Sequence, residues 1–156
     1  MSVEIKTLPA MHLAYMRHTG PYGSPTIAQQ WASFGEWATS QGLMTPRRRM
    51  LGISLDNPMT TPPAQCRYDL CIEVEAGFKP NGDVALQDFP GGKYACVPFK
   101  GTAFTIGPAW MQMFAQWLPQ SGQQPTGQPA LELYDTDFAL DPTTGVFNCT
   151  LCVPVA

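Results

Sequence analysis

Charged side chains are scarce in this sequence. Asp, Glu, Lys and Arg make up 13% of the 156 residues, about half the share found in a typical globular domain. The net charge is −3, and the one basic run is Arg47–Arg49. Binding to nucleic acid needs clustered cations that neutralise phosphates. We therefore expect no direct contact with nucleic acid, and we expect the Arg47–Arg49 run to be solvated near the end of the first helix.

Long apolar runs are also missing. No stretch approaches the roughly 20 residues of a membrane-spanning helix, and the residues after Met1 do not have the pattern of a signal peptide. The sequence therefore predicts a cytoplasmic protein without a membrane partner.

The five cysteines are an odd number, which favours reduced thiols over a disulfide framework. Cys149 and Cys152 have the spacing of a redox or zinc pair, but residues three apart in a strand point to opposite faces. We expect buried structural cysteines, with no metal site and no cofactor. The sequence also contains no nucleophile elbow, phosphate-binding loop or dinucleotide fingerprint. No catalytic residue is assigned, and enzymatic activity has little support from the residues.

The sequence does contain an internal repeat. A Leu8–Pro9 step before a strand-like run recurs as Phe89–Pro90, and in each half a Trp-bearing helical pattern and two further strand-like runs follow. The helical patterns carry Trp31, Phe34 and Trp37, then Trp110, Phe114 and Trp117; the closing strand-like runs are Leu51–Leu55 and Tyr68–Glu75, then Ala130–Tyr134 and Phe147–Val155. This order predicts an α+β fold of two βαββ units. Chance similarity is the alternative, because few residues are identical between the halves.

We expect one domain over residues 1–156, with half 1 at about 1–78 and half 2 at about 84–156. The expected architecture is an antiparallel sheet with two helices on one face and a groove between the pseudo-twofold halves. Alternation along the strands predicts that the helix-facing residues are Leu70, Ile72, Val74, Leu151 and Val153. On the strand at 130–134, Leu131 and Leu133 match this set. Glu132 and Tyr134 are therefore expected on the opposite face, together with Cys71, Glu73, Thr150 and Cys152.

Glu132 is the main candidate for a ligand-binding residue. A carboxylate between Leu131 and Leu133 costs free energy unless something pairs with it. One interpretation is a cationic ligand that Tyr134 also holds through a cation–π contact; the other is a rim glutamate that is solvated or paired with Lys or Arg. The other candidates are aromatic residues that line either a cleft or the core: Trp110, Tyr15, Tyr68 and Tyr94.

Several short segments, in this order and spacing, indicate a family. They are VEIK at residues 3–6, Gly20-Pro21-Tyr22, Asp56-Asn57-Pro58, Gly91–Ala95, Pro108-Ala109-Trp110, Leu131–Tyr134 and Leu151–Val155. Together they cover almost the whole chain, which resembles the GyrI-like, or SbmC-like, family. This family contains standalone DNA gyrase inhibitory proteins and the effector-binding domains of AraC-type and MerR-type regulators.

The resemblance implies a groove that binds small aromatic or amphipathic molecules, which are often cationic. It implies that Glu132, Tyr134 and Trp110 belong to this site. Many members carry a Glu where this chain has Thr150, so the chain is expected to prefer neutral ligands or to rely on Glu132 or Glu73. The leading function is binding of a small-molecule ligand. The alternatives are inhibition of DNA gyrase through protein–protein contact and hydrolysis of cyclopropane-bearing genotoxins, and the Thr150 replacement weakens the second of these.

Overall fold

The computed structural model describes residues 2–156, which contain eight strands, two longer helical segments and one short 3-10 helix (Pro63–Gln65). The strands are β1 (Glu4–Leu8), β2 (Met11–Thr19), β3 (Met50–Ser54), β4 (Arg67–Val74), β5 (Ala85–Phe89), β6 (Gly92–Gly101), β7 (Ala130–Tyr134) and β8 (Phe147–Pro154). Helix α1 covers Pro25–Ser40. In the second half, α2 (Ile106–Gln112) continues through a π-helical turn (Met113–Trp117) into α3 (Leu118–Ser121).

All strands pair antiparallel in one sheet with the order β1-β6-β8-β7-β3-β4-β2-β5. When each strand of one half is exchanged with its counterpart in the other half, the same order is read backwards. The sheet therefore has a pseudo-twofold axis at its centre, between β3 and β7. The central pair of these two strands is Gly52 and Glu132. The predicted antiparallel, duplicated α+β fold is confirmed.

Each half also has a separate opening strand, so its element order is ββαββ. β1 pairs with β6 of the second half, and β5 pairs with β2 of the first half. The halves thus exchange their opening strands, and each half completes the sheet edge of the other. The predicted boundary at residues 78–84 falls in the link between β4 and β5.

Helix α1 begins and ends as its sequence predicts. Ser24 is the N-cap and accepts a hydrogen bond from the Thr26 backbone N–H, and Pro25 occupies the first position. Gly42 follows the helix with a φ of +71°, a conformation that suits glycine after a helix C-terminus. The helix buries Phe34 and Ala38 against the sheet.

Between its two tryptophans, the second helical segment contains one residue more than the first, and the π-helical turn accommodates it. The offset between the two halves is the same for the pair Trp31 and Trp110 as for the pair Phe34 and Met113. Phe34 and Met113 are both fully buried. Trp37 and Trp117 are separated by one residue more. An inserted residue in a helix is commonly absorbed by a π turn. The turn therefore keeps tryptophans on the sheet-facing side at both of its ends.

Apolar residues are buried on both faces of the sheet. On the helix face, Leu70, Ile72 and Val74 pack under α1, and Val153 packs with Met113 under α2. The opposite face carries no helix, but the sheet curls into a half-barrel and buries a second core there. This core consists of Leu8, Met11, Leu13, Leu51, Ile53, Cys71, Phe89, Tyr94, Cys96, Leu131, Leu133 and Cys152.

Pro98 lies in β6, which has β1 and β8 as its neighbours. The pairing of β6 with β1 ends at Cys96, so Pro98 displaces no hydrogen bond to β1. The expectation of a solvated Arg47–Arg49 run was wrong for Arg48 and Arg49, whereas Arg47 is exposed. Arg48 binds Glu75 and Arg49 binds Glu73, because the run leads into β3 beside the end of β4.

None of the helices in the described part of the chain has both the length and the apolar character needed to cross a membrane.

Candidate functional site

Glu132 lies at the centre of the sheet and points to the helix face. Its strand β7 pairs with β3 on one side and with β8 on the other, so Glu132 is directly opposite both Gly52 and Leu151. Its side chain meets Tyr68 of β4 and Trp110 of α2, which belong to different halves. Only 8% of the residue is exposed. The pseudo-twofold axis thus passes beside a buried carboxyl group.

Three neutral donors bind this carboxyl group. The hydroxyls of Tyr68 and Tyr134 donate to Oε1 at 2.8 and 2.9 Å, and the indole Nε1–H of Trp110 donates to Oε2 at 3.2 Å. These four residues are called the Glu132 cluster below. In the described chain, the ion pairs of Lys, Arg and His use other carboxylates. The cluster therefore gives each oxygen of Glu132 at least one donor but supplies no positive charge.

Burial and hydrogen bonding act in opposite directions on Glu132. Burial raises the pKa of Glu132 above its ordinary value, whereas the hydrogen bonds from Tyr68, Tyr134 and Trp110 lower it and only partly offset this effect. Burial, followed by the nearby Glu132 carboxylate, raises the pKa values of Tyr68 and Tyr134 well above 10. Both phenols therefore remain protonated donors at neutral pH.

Aromatic rings surround the cluster. Trp31 of α1 contacts the rings of Tyr68 and Tyr134 edge-on, with centroids 6.3 and 5.5 Å away. Phe138 and Phe147 contact the other sides of Tyr134 at 5.4 and 6.2 Å. Aromatic faces of this kind attract cations and stack with planar ligands.

Gly52 provides the space that this arrangement requires. A Cβ atom at this position would lie 1.8 Å from the Tyr68 hydroxyl oxygen and 3.0 Å from Glu132 Oε1. The Tyr68 hydroxyl thus passes over the Gly52 backbone to reach Glu132. Because Gly52 has no unusual φ, its role is one of space and not of backbone conformation.

The eight site residues predicted from the sequence divide into two sets of four. Glu132, Tyr134, Tyr68 and Trp110 come together in the cluster. The other four lie on the helix-free face, because directly paired residues of adjacent strands share a face. The pairs are Glu73 with Leu13, Tyr15 with Cys71, Tyr94 with Pro154, and Thr150 with Leu133.

The face predicted for β7 was wrong. Leu131 and Leu133 join the core on the helix-free face, while Glu132 and Tyr134 point toward the helices. The Glu73 carboxylate is already paired, because the Arg49 guanidinium donates to both of its oxygens at 3.0 and 2.7 Å. Gly52 and Trp31 were not among the site residues predicted from the sequence. The signal for Gly52 was its counterpart position to Glu132 in the repeat.

Two depressions lie along β6 and β8. One of about 430 Å³ lies between β6, β8 and α2, where Leu151 and Ala109 line it. Leu151 is the direct strand neighbour of Glu132, and Ala109 precedes Trp110. The other, of about 410 Å³, lies at the ends of β6 and β8 near Leu133 and Cys149. The ring of Phe114 stacks on that of Trp110, with the ring centroids 5.6 Å apart.

Comparison with known proteins gives consistent matches over the whole chain. The family model described as GyrI-like small molecule binding domain matches residues 1–156. The SPbeta prophage-derived protein YosT of Bacillus subtilis, whose name describes a transcriptional regulator, is 30% identical over 138 residues, covering 88% of this chain and 91% of its own length. A DNA gyrase inhibitor of Edwardsiella piscicida is 26% identical and covers 99% of this chain and 98% of its own length. The crystal structure of the EcmrR C-terminal domain has the same fold, with a TM-score of 0.78, 16% identity, and coverage of 99% of this chain and 97% of that domain.

Proposed function

The chain belongs to the GyrI-like small molecule binding domain family, and from this premise we propose that it binds aromatic monocations at the Glu132 cluster. In this proposal, Glu132 supplies the negative charge, and Trp31, Tyr68 and Tyr134 supply the aromatic surface. The predicted cytoplasmic location remains a prediction.

The observation that carries the proposal is the unbalanced charge of Glu132. A buried carboxylate is costly without a counter-charge, and its three partners among the described residues are neutral. A ligand cation would provide the missing charge in a poorly solvated site, where electrostatic attraction is stronger than in water. The neighbouring aromatic rings would add cation–π attraction.

The position of Trp110 suggests how a ligand enters. Trp110 covers Glu132 from α2 and donates a single, rather long hydrogen bond of 3.2 Å. The depression of about 430 Å³ beside α2 falls within the usual range for small-molecule pockets. We infer that a ligand occupies this depression, displaces the Trp110 indole, and reaches Oε2 of Glu132.

Calorimetric titration with tetraphenylphosphonium tests the proposal, because tetraphenylborate has the same shape and the opposite charge. The wild-type protein is expected to bind the phosphonium and not the borate. Glu132→Gln is expected to weaken phosphonium binding by about 2–4 kcal/mol, or roughly 30- to 1,000-fold. Glu73→Gln is the matched control, because Glu73 pairs with Arg49 on the opposite face of the sheet. Equal binding of both ions, or unchanged binding by Glu132→Gln, would refute the role of Glu132.

Inhibition of DNA gyrase is a second candidate function. It is supported by the full-length match to a protein named DNA gyrase inhibitor. A supercoiling assay with wild-type protein tests it, and unchanged gyrase activity at micromolar protein would contradict it. The hydrolase alternative remains a hypothesis that mass analysis of an incubated cyclopropane substrate would test.

A further inference from the structure

Two buried cysteines face each other on the helix-free side of the sheet. Cys96 of β6 is directly paired with Cys152 of β8, and both belong to the core on that side. Their Sγ atoms are 3.6 Å apart and share a hydrogen bond. Both thiols are almost fully buried, with exposed fractions of 2% and 0%.

The backbone at this pair already has the spacing of a disulfide. Directly opposed residues of antiparallel strands have Cα atoms about 4.5 or 5.5 Å apart, and disulfides span Cα separations of about 4.4–6.8 Å. The two sulfur atoms need to approach only from 3.6 Å to the bond length of about 2.05 Å. Side-chain rotation can provide this change without a shift of β6 or β8.

The other cysteines lack this arrangement. Cys149 has CxxC spacing to Cys152, but it lies on the other face of β8, as the sequence predicts. Cys71 contacts the Asp69 carbonyl and the Gln87 side chain. Cys66 contacts the carbonyls of the loop before β4. Among the five thiols, Cys96 and Cys152 are therefore the pair that the sheet brings together.

The short edge strand β1 gives a route to the pair. β1 is hydrogen-bonded to β6, and Glu4 is opposite Cys96. Four of the five residues of β1 are exposed, so little apolar burial holds this strand in place. Edge elements of low local stability open without global unfolding, and opening of β1 uncovers Cys96.

We propose that Cys96 and Cys152 form a cross-strand disulfide when the protein meets a low-molecular-weight disulfide such as glutathione disulfide. The Cys96 thiolate attacks one sulfur of glutathione disulfide, forms a mixed disulfide and releases one glutathione thiolate. The Cys152 sulfur then attacks Cys96, gives its proton to solvent and releases the second glutathione. Two protein thiols are oxidised, and one glutathione disulfide is reduced to two thiols.

The electrostatics of the pair favour Cys96 as the attacking sulfur. The hydrogen bond shared with Cys152 lowers the pKa of Cys96, and the Lys6 ammonium on β1 acts in the same direction. The same hydrogen bond and burial raise the pKa of Cys152. A lower pKa increases the thiolate fraction, which is the reactive form.

Alkylation and mass spectrometry test this site on the whole folded protein. The reduced protein is expected to take up five iodoacetamide groups, one for each cysteine, when it is alkylated after denaturation. After overnight incubation with glutathione disulfide, we expect two fewer groups and a cross-linked peptide pair that contains Cys96 and Cys152. Retention of all five thiols, a different cross-link, or a stable glutathione adduct as the end product would overturn the proposal.

Two serine variants distinguish a Cys96–Cys152 disulfide from a Cys149–Cys152 disulfide. Cys149→Ser should still lose two thiols on oxidation, because Cys149 is not a partner. Cys96→Ser should form no intramolecular cross-link. A Cys149–Cys152 cross-link in wild-type protein, or loss of two thiols in Cys96→Ser, would contradict the assignment. The outcome does not depend on ligand binding, so this proposal and the proposed function can fail separately.

Discussion

Replacing Gly52 with alanine fills the space that the Tyr68 side chain occupies and leaves the charge of the Glu132 cluster unchanged. The new Cβ atom would lie 1.8 Å from Oη and 2.5 Å from Cζ of Tyr68. Tyr68 is 4% exposed, and its ring is held between Tyr22 and Trp31, with centroids 6.4 and 6.3 Å away. The ring therefore cannot swing into solvent and must shift within a packed core.

The expected cost combines two effects. Overpacking of a well-packed core typically costs about 1–3 kcal/mol, and loss of a hydrogen bond to a charged group costs about 1.5–3 kcal/mol. We expect Gly52→Ala to lower the free energy of unfolding by about 3–5 kcal/mol. Tyr68→Phe removes the hydroxyl and is expected to cost about 1.5–3 kcal/mol. The double variant should cost at least about 1 kcal/mol less than the sum, because both single changes remove the same hydrogen bond.

Urea unfolding, followed by tryptophan fluorescence, measures these values. Gly35→Ala in α1 is the matched control, because a Cβ at Gly35 meets nothing within 4 Å. Alanine is the better helix former, so this control should gain about 0.5–1 kcal/mol. A Gly52→Ala variant within about 0.5 kcal/mol of wild type would refute the space argument. Strict additivity in the double variant would show that Gly52 and Tyr68 act independently.

The remaining predictions concern charge. Burial raises the pKa of Glu132 above 4.5, so a proton competes with a bound cation for this carboxylate. The affinity for tetraphenylphosphonium, measured by calorimetry, should therefore fall by up to about tenfold per pH unit below that pKa. The Glu132→Gln variant should show no such pH dependence. In the ligand-free protein, the folded state holds this proton more tightly than the unfolded chain does, so the free energy of unfolding should fall as pH rises from about 4.5 to the raised pKa. Trp110→Phe removes a donor that favours the ionised form, so carboxyl ¹³C NMR should show Glu132 titrating at higher pH. Asp69→Asn breaks a pair in which Asp69 is fully buried and Arg17 is 41% exposed; partial solvation of Arg17 limits the expected loss to about 2–3 kcal/mol in urea unfolding.

Much of the fold could be predicted from local patterns. The Ser24-Pro25 start of α1, the glycine after it, and the two closing strands of each half all follow from residue preferences and alternation. The exchange of β1 and β5 could not be predicted in this way. Alternation specifies that a segment is a strand and which residues share a face, but not which distant strand it pairs with.

The sequence indicated the four residues that form the Glu132 cluster, but not the direction in which the Glu132 side chain points. The sequence indicated Glu132, Tyr134, Tyr68 and Trp110, yet it placed Glu132 on the wrong face. The physical reason is that both faces of this sheet bury apolar side chains, so Leu131 and Leu133 suit either face. The repeat makes Gly52 the counterpart of Glu132, but the need for space at Gly52 follows only from the reach of the Tyr68 side chain across β3.

The central pair of the sheet also has a consequence for symmetry. In a true homodimer of half-length chains, the two positions at the axis would hold the same residue. Two glutamates would place like charges side by side, and two glycines would provide no charge. Covalent fusion of the halves lets one position hold Glu132 and the other Gly52. The single chain thereby has one charged group at the centre of a twofold-related sheet, and the proposed function therefore predicts one bound cation per chain.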